Sequence, residues 1–222
     1  MQFWDSLSAP PDVEELMASW RTDPQFFYHR YSWESAHAFI RDHFDGRTLA
    51  VFESCTVPAM QCDVFRLCWL FEHGGVYVDA DQGNRGRNDS FTDRTARGHL
   101  FRSPRSLAKD SPAARSPLFQ GPEGGIIANG ILSFFNPRDP LVAVYLERVS
   151  TNIECRINLP VWRLTGPEVI CGLYAEFGPD HELFDNVRVH SIREFGRAFT
   201  FGDCDYKASK VHWKNVTGSL YR

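Results

Sequence analysis

Long apolar runs are missing from the 222-residue chain: none reaches about 18 residues, and the N-terminus lacks the charged-then-apolar pattern of a secretory signal. We therefore expect no transmembrane segment and a cytoplasmic location. No C-x-x-C pair occurs among the six cysteines, which favours reduced, partly buried thiols over a disulfide framework. The net charge of -4 argues against a nucleic-acid partner, because such proteins carry a basic face.

Enough apolar material is present for one core, since 43% of the residues are hydrophobic. Helical spacing of apolar residues predicts helices at 11–20, 33–44, 59–73 and 140–149. Strands are predicted at 26–31, 48–53, 76–79 and, as a broken pair around Gly130, at 126–135. Ser32 is the expected N-cap of the second helix and Gly46 its stop. This alternation predicts an α/β fold, in which a mainly parallel twisted sheet is flanked by helices in a single domain over residues 1–222.

The alternating pattern fails between Asp81 and Gly121. Residues 82–120 carry many arginines mixed with proline, serine and glycine, which predicts a basic irregular loop. Such a loop could close over a diphosphate or admit an acidic acceptor. Loops more often only carry surface charge, so we favour a solvated excursion for this segment.

Residues 62–81, which read CDVFRLCWLFEHGGVYVDAD, carry most of the chemistry of the chain. The helix in this stretch is expected to end at Gly74-Gly75, because residues without a Cβ adopt the left-handed conformation readily. Asp63 and Arg66 are three residues apart on that helix, so their side chains are neighbours on its flank.

Two carboxylates, Asp79 and Asp81, follow the next strand. Side chains two apart in an extended chain face the same way, so the two can converge on one point, where they repel unless a cation joins them. A Mg²⁺ or Mn²⁺ ion held by one or two carboxylates completes its shell with water and substrate phosphate. D-x-D is also common in solvated turns, so the pair by itself leaves a metal site and an ordinary turn open.

The longer pattern is more specific than the pair. D-x-x-R on a helix followed by G-G-x-Y-x-D-x-D resembles the glycosyltransferase sugar-binding region that contains the DXD motif, seen in bacterial and fungal polysaccharide mannosyltransferase-like enzymes and, more distantly, in clostridial glucosylating toxins. The resemblance extends to Gln2-Phe3-Trp4-Asp5, Ala128-Asn129-Gly130-Ile131-Leu132, Asn136-Pro137, Leu164-Thr165-Gly166-Pro167, and His212 with Ser219-Leu220-Tyr221. It implies a GT-A-like fold.

The resemblance also implies contacts with a nucleotide-sugar donor. Trp4 would lie against the nucleotide base, and Ser219 and Tyr221 would contact the donor, although the family has tryptophan where Tyr221 stands. Asn129 would touch the transferred sugar, with capping of a strand end as the alternative.

Four residues of the central pattern and one histidine would complete the site by the same resemblance. Asp63 would hold sugar or ribose hydroxyls, and Arg66 would bind a sugar hydroxyl or phosphate oxygens. The metal ion would be held by Asp79, Asp81 and His212, with Asp79 acting directly or through water and sugar hydroxyls.

Together these roles predict a hexosyltransferase of polysaccharide biosynthesis that uses Mn²⁺ or Mg²⁺. It would transfer sugar from a UDP- or GDP-sugar to an unknown carbohydrate or protein acceptor. The family retains the anomeric configuration, and no enzyme nucleophile is evident, so attack by the acceptor from the leaving-group face is the hypothesis for this chain.

Two other functions stay open at this stage. A protein that binds a sugar nucleotide without transferring it is the main alternative. A haloacid-dehalogenase-like phosphatase also carries D-x-D after a strand, but those enzymes usually place Thr or Val two positions after the second Asp, and here Asp81 is followed by Gln82-Gly83.

Overall fold

Residues 1–121, 124–208, 214 and 218–222 are described by the structure, which is a computed structural model. The described helices are α1 (Pro11–Arg21), α2 (Trp33–His43), α3 (Gly46–Ser54), α4 (Pro58–His73), α5 (Asp89–Thr92), α6 (Pro140–Glu154), α7 (Val161–Leu164), α8 (Pro167–Phe177) and α9 (Ile192–Ala198). The described strands are β1 (Gln2–Phe3), β2 (Arg30–Tyr31), β3 (Gly75–Val78), β4 (Gln82–Asn84), β5 (Gly98–Ser103), β6 (Ile126–Phe134), β7 (Val187–His190) and β8 (Phe199–Phe201).

The central sheet has four strands in the order β3-β6-β5-β7. Strand β6 is antiparallel to both β3 and β5, whereas β5 and β7 are parallel. The α/β class is as predicted, but the sheet is mixed rather than mainly parallel. The reason is that β5 and β6 are joined by short 3₁₀ turns instead of a helix crossing the sheet, and such a connection returns the next strand in the opposite direction.

Both faces of the central sheet are covered, as the alternation predicts. Consecutive residues in a strand point to opposite faces, so Tyr77 belongs to the large core with α4, α6 and α8, whereas Val78 faces a second core with Phe199. Leu100 and Phe101 divide between the two cores in the same way. The sheet therefore separates the two hydrophobic cores.

Helix α4 runs through the larger core and is buried along its whole middle, from Met60 to Leu70. It begins with Pro58 and ends at Gly74, which has a φ of 66° and closes the helix with a bond from its N–H to the Leu70 carbonyl. The predicted end at glycine is thus confirmed. Burial extends to the flank that carries Asp63 and Arg66, so these charged groups lie inside the protein.

The predicted strand at 48–53 is wrong, because those residues lie within helix α3. Asp45 is the N-cap of this helix and accepts a hydrogen bond from the Thr48 backbone N–H at 2.9 Å. Ser32 caps α2 as expected, but Gly46 begins α3 instead of only ending α2. The capping aspartate and packing against α2 and α4 outweigh the strand propensity of a short apolar run.

Two further strand predictions need correction. Of the predicted strand at 26–31 only Arg30–Tyr31 pairs with β1, because Phe26 packs instead against the rings of Trp20 and Phe91. The predicted broken pair at 126–135 is one nine-residue strand, β6, and Gly130 continues the pairing by accepting a hydrogen bond from the Asp79 backbone N–H at 2.8 Å.

The predicted irregular loop at 82–120 contains an inner strand of the sheet. Strand β5 lies between β6 and β7, and Leu100 and Phe101 are fully buried. Arg97 just before this strand and Arg102 within it give the sequence the character of a polar loop, but Arg97 pairs with Asp139 at 2.8 Å and Arg102 donates to the Gly125 carbonyl at 2.9 Å. Some arginines of this segment therefore make contacts within the folded protein and do not only face solvent.

Across the described residues, no helix combines the length and the apolar character needed to cross a bilayer.

Candidate active site

A cavity of about 740 Å³ opens where β3 ends. Its walls come from the segment after β1, the start of α4, the turn between β3 and β4, the start of α8 and the 3₁₀ turn at Asp205–Ala208. The predicted site residues that line it are Trp4, Asp63, Arg66, Asp79, Asp81 and Asn129. The tertiary structure thus brings together residues that lie up to 125 positions apart in the chain, between Trp4 and Asn129.

Asp63 and Arg66 form a buried ion pair on the inner flank of α4. The guanidinium Nη2 lies 2.8 Å from Oδ1 of Asp63, and the two side chains are 6% and 5% exposed. Asp63 also accepts hydrogen bonds from the Asn129 amide at 2.9 Å and the Thr165 hydroxyl at 2.7 Å. Both carboxylate oxygens of Asp63 are therefore engaged by the protein itself.

Burial raises the pKa of Asp63 to about 7, while the Arg66 guanidinium and the Thr165 and Asn129 hydrogen bonds act in the opposite direction. The pKa of Arg66 is raised well above its ordinary value, because Tyr77, Asp79 and Asp63 together outweigh burial, which lowers it. Arg66 is thus a permanent positive charge in the wall of the cavity.

Arg66 also connects α4 to the end of β3 and to β6. Its Nη2 lies 3.3 Å from Oδ1 of Asp79, its Nη1 donates to the Asn129 carbonyl at 2.5 Å, and its guanidinium lies 4.4 Å from the centre of the Tyr77 ring. The Tyr77 hydroxyl donates a short hydrogen bond to Oδ1 of Asp79. One oxygen of Asp79 is therefore fixed by two protein groups.

Asp79 and Asp81 lie on a turn, not on an extended strand as the spacing argument assumed. The Gln82 backbone N–H donates to the Asp79 carbonyl at 3.0 Å, so the chain reverses between β3 and β4. Both side chains line the cavity, and burial together with the charges of Asp81 and Asp79 raises the pKa of the nearby Tyr206. The two carboxylates share a cavity, but each has its own set of protein partners.

Asp81 faces the C-terminal part of the chain. Its Oδ2 lies 2.7 Å from the ammonium of Lys207 and accepts a hydrogen bond from the Tyr206 hydroxyl at 3.1 Å. The Tyr206 ring in turn packs edge-on against Trp4, with ring centres 5.1 Å apart. Trp4 therefore lies in the wall of the cavity beside the carboxylate pair.

Two predicted site residues of the described part of the chain do not line the cavity. Ser219 and Tyr221 lie elsewhere: Tyr221 forms a backbone bridge with Cys55, and its hydroxyl donates to the Ile157 carbonyl at 3.0 Å. Their predicted contact with the donor has no support from this position. His212 lies outside the described residues.

The residues present fit a hard divalent ion. Across the part of the chain that is described, no three side chains of His, Cys, Asp or Glu form a cluster that would enclose one. Two carboxylates nevertheless suffice for an ion of the Mg²⁺ or Mn²⁺ kind, which takes its other ligands from water and phosphate. The ammonium of Lys207 occupies the position of a cation at Oδ2 of Asp81, which shows that this oxygen is a favourable place for positive charge.

Sequence reasoning missed several residues of the cavity. Lys207, Tyr206 and Gln82 line it, and Oε1 of the buried Gln82 has no hydrogen-bond partner among the described residues. Gln82 directly follows the D-x-D pair, so its position was the available signal. Lys207 had no such signal, because it is one of three lysines between positions 207 and 214 and nothing in the sequence connects it with the D-x-D pair.

A second cavity of about 150 Å³ adjoins the first. Asp79, Gln82 and Asn129 line both cavities. Polar and apolar residues both line the smaller one, and its aromatic residues are Trp162, Phe195 and Phe201. The smaller cavity therefore offers space for a second molecule next to a ligand in the large cavity.

Gly130 of strand β6 has no side chain, which leaves space for the carboxylate of Asp79. Substitution of Gly130 tests whether this space is needed. A Cβ on residue 130 would collide with Oδ2 of Asp79 and lie 2.5 Å from Nε2 of Gln82. We expect Gly130→Ala to lower turnover of the substrate by 10- to 100-fold, on the order of what an ångström-scale displacement at a reacting centre produces. Steady-state kinetics with a sugar donor that the protein turns over measure the effect.

Gly172→Ala is the matched control, because a Cβ at position 172 meets nothing within 4 Å. It lies within α8, where alanine is favoured over glycine by about 1 kcal/mol, so its activity and stability should be undiminished. Equal turnover in the two variants would show that the space above Gly130 is not needed.

The α/β architecture, the mixed sheet and the carboxylates at the end of β3 define a GT-A-like fold. The family described as glycosyltransferase sugar-binding region containing DXD motif matches residues 8–96, which confirms the predicted resemblance over the part of the chain that holds Asp63, Arg66, Asp79 and Asp81. That match supports glycosyl transfer as the general activity.

A solved structure, PaToxG glycosyltransferase, is similar in fold with a TM-score of 0.51. Sequence identity is 13%, and the alignment covers 100% of this chain and 87% of that one. No curated protein matches the sequence. The similarity to the solved structure extends the fold assignment over the whole chain, including Asn129 and the C-terminal part.

Proposed function

We propose that this chain is a single catalytic domain over residues 1–222 that transfers a hexosyl unit from a UDP- or GDP-sugar to a carbohydrate or protein acceptor in polysaccharide biosynthesis. The observation that carries the proposal is the cavity of about 740 Å³ that holds Trp4, Asp79, Asp81 and Asn129 together. Its volume lies in the range of small-molecule sites. The family match at residues 8–96 supports the same activity.

Asp79 and Asp81 would hold Mn²⁺ or Mg²⁺. When bound, such an ion neutralises the negative charge that develops on the departing diphosphate. Asp79 offers its Oδ2 for this purpose, since its Oδ1 is engaged by Tyr77 and Arg66. Further positive charge for the diphosphate comes from the side chains of Arg105 and Lys214, which line the cavity.

Asp63 and Arg66 act in this proposal by positioning other groups. Both are about 95% buried, and their hydrogen-bonding groups are engaged by Asp79 just after β3, Asn129 of β6 and Thr165 at the end of α7. Arg66 holds Asp79 at its Oδ1 and Asn129 at its carbonyl, so it sets the geometry of the metal-binding and sugar-binding groups. Asn129 lines both cavities and in this proposal contacts the transferred sugar between donor and acceptor.

The acceptor enters through the smaller cavity in this proposal, since that space joins the donor cavity at Asp79, Gln82 and Asn129. The acceptor hydroxyl attacks from the same face as the leaving group: its oxygen bonds to the anomeric carbon as the bond from that carbon to the diphosphate oxygen breaks, and its proton passes to the departing diphosphate, so the anomeric configuration is retained. Product analysis by NMR tests this step, and an inverted anomeric proton signal would contradict it.

A donor screen tests the proposal as a whole. UDP- and GDP-sugars are compared by thermal shift with and without Mn²⁺, and the donors that stabilise the protein are then assayed for release of nucleoside diphosphate. Release that depends on Mn²⁺ and stops with a chelator supports the transferase. Saturable binding without release would favour the binding protein, and release of inorganic phosphate from a monoester would favour the phosphatase.

A further inference from the structure

Lys207 has no part in the proposed reaction so far, yet it lies at the place where the divalent ion would bind. Its ammonium is 2.7 Å from Oδ2 of Asp81, and the two side chains are 30% and 18% exposed. It also lines the large cavity. One of the two metal-binding carboxylates is therefore already paired with a cation of the protein.

Backbone contacts of the residues that precede Lys207 hold this position in place. Strand β8 pairs with β4, which follows Asp81 directly, and the Gly202 N–H donates to the Asp81 carbonyl at 3.1 Å. The Lys207 ammonium also donates to the Gly202 carbonyl at 2.6 Å. The following 3₁₀ turn is anchored on α1, since the Asp205 N–H donates to Asp12 at 2.9 Å. Lys207 is thus held at Asp81 by the fold and is not a chance surface contact.

The charges around Asp81 determine how a divalent ion can bind there. Asp63 and Asp79 share the guanidinium of Arg66, whereas the cation of Asp81 is Lys207. A divalent ion on Asp81 would lie within a few ångströms of the ammonium, and the repulsion between the two is several times larger than thermal energy. We infer that Lys207 is exchanged for the divalent ion at Asp81 and then binds the diphosphate of the donor.

The side chain is suited to such an exchange. Lysine carries a compact charge and three donors on a flexible four-carbon stem, so its head group can move while the backbone turn stays in place. A diphosphate carries more negative charge than one divalent ion neutralises, and the ammonium stays inside the same cavity after it leaves Asp81. This inference rests on the proposed function for the identity of the diphosphate ligand.

Lys207→Met tests the exchange because it keeps most of the stem and removes the charge. Binding of Mn²⁺ alone is measured by calorimetry, and binding of inorganic pyrophosphate is measured in saturating Mn²⁺. We expect the variant to bind Mn²⁺ alone roughly tenfold more tightly, and pyrophosphate roughly tenfold more weakly, than the unaltered protein. Lys109→Met, at an exposed position outside both cavities, should change neither value.

Lysine labelling gives a second measurement on the unaltered protein, which does not depend on how a variant folds. The rate at which an amine-reactive reagent modifies Lys207 is followed by mass spectrometry. We expect Mn²⁺ alone to raise this rate at least severalfold, because the ammonium loses its carboxylate partner, and to leave Lys109 unchanged. Unchanged labelling of Lys207 in Mn²⁺ that is shown to be bound would overturn the exchange.

The two proposals fail in different ways. If Lys207→Met binds Mn²⁺ no more tightly than the unaltered protein while nucleotide release from the donor proceeds, the exchange is overturned and the transferase stands. If the Mn²⁺ and pyrophosphate affinities shift as expected but no donor is cleaved, the exchange stands and the transferase fails. Absence of Mn²⁺ binding in both proteins would overturn both.

Discussion

Asp81→Ala is expected to lower the rate of nucleoside diphosphate release from the sugar donor by about 1,000-fold. A pair of unit charges about 4 Å apart near a protein surface is worth roughly 4 kcal/mol, and each 1.36 kcal/mol in the barrier changes the rate tenfold. Asp81 is one of the two cavity-lining carboxylates proposed to hold the metal ion, so its removal would take away half of their negative charge. Steady-state release assays at saturating Mn²⁺ measure the effect.

The fold should survive this change. The pair of Asp81 and Lys207 is partly exposed, and such pairs contribute on the order of 1 kcal/mol or less. Asp180→Ala, at an exposed position outside both cavities, is the control for loss of a carboxylate and should keep full activity. If Asp81→Ala releases nucleotide at more than a tenth of the original rate, the carboxylate pair is not the metal site.

The largest effect on stability is expected from Arg66→Met. This change removes the cation that lies 2.8 Å from Asp63 and 3.3 Å from Asp79, and it leaves the buried Asp63 carboxylate with only neutral partners. Loss of one member of a buried ion pair destabilises proteins by about 3–5 kcal/mol. The free energy of unfolding, measured by urea denaturation with the linear extrapolation method, should fall by that amount.

Two further variants test the cause of that loss. Arg41→Met removes an arginine whose side chain is 57% exposed and whose pair with Asp42 lies at the surface, so stability should change by less than about 1 kcal/mol. Adding Asp63→Asn to Arg66→Met removes the unpaired charge and should recover part of the loss. A loss in Arg66→Met as small as that in Arg41→Met would mean that the buried pair does not hold the site together.

Local signals in the sequence predicted α4 and its surroundings well. Pro58 and the glycines at 74 and 75 bound the helix as expected, and Ser32 caps α2. These features depend on contacts within a few residues, such as a side-chain cap or a left-handed glycine, so they can be read without the rest of the chain. The spacing of Asp63 and Arg66 likewise predicted their contact, because residues three apart on a helix are neighbours.

Predictions that needed distant partners failed more often. Residues 48–53 form a helix because Asp45 caps it and α2 and α4 pack against it, and 98–103 form an inner strand although arginines flank it. Strand direction also depended on how distant segments pair, so the sheet is mixed rather than mainly parallel. Local composition carries little information about such pairings, since an apolar run of five or six residues suits a buried helix and a buried strand alike.

By itself the sequence indicated the pattern of the site: a D-x-x-R on a helix, a glycine turn and a D-x-D after a strand, whose resemblance to the family is confirmed by the match over residues 8–96. Only the tertiary structure decided which other groups join them. It placed Asn129 and Thr165 on Asp63, Trp4 in the wall of the cavity, and the ammonium of Lys207 on Asp81, and it placed Tyr221 away from the cavity. The physical reason is that these contacts span 66 to 126 residues, and only the packing of the sheet and its helices brings such distant positions within hydrogen-bonding distance.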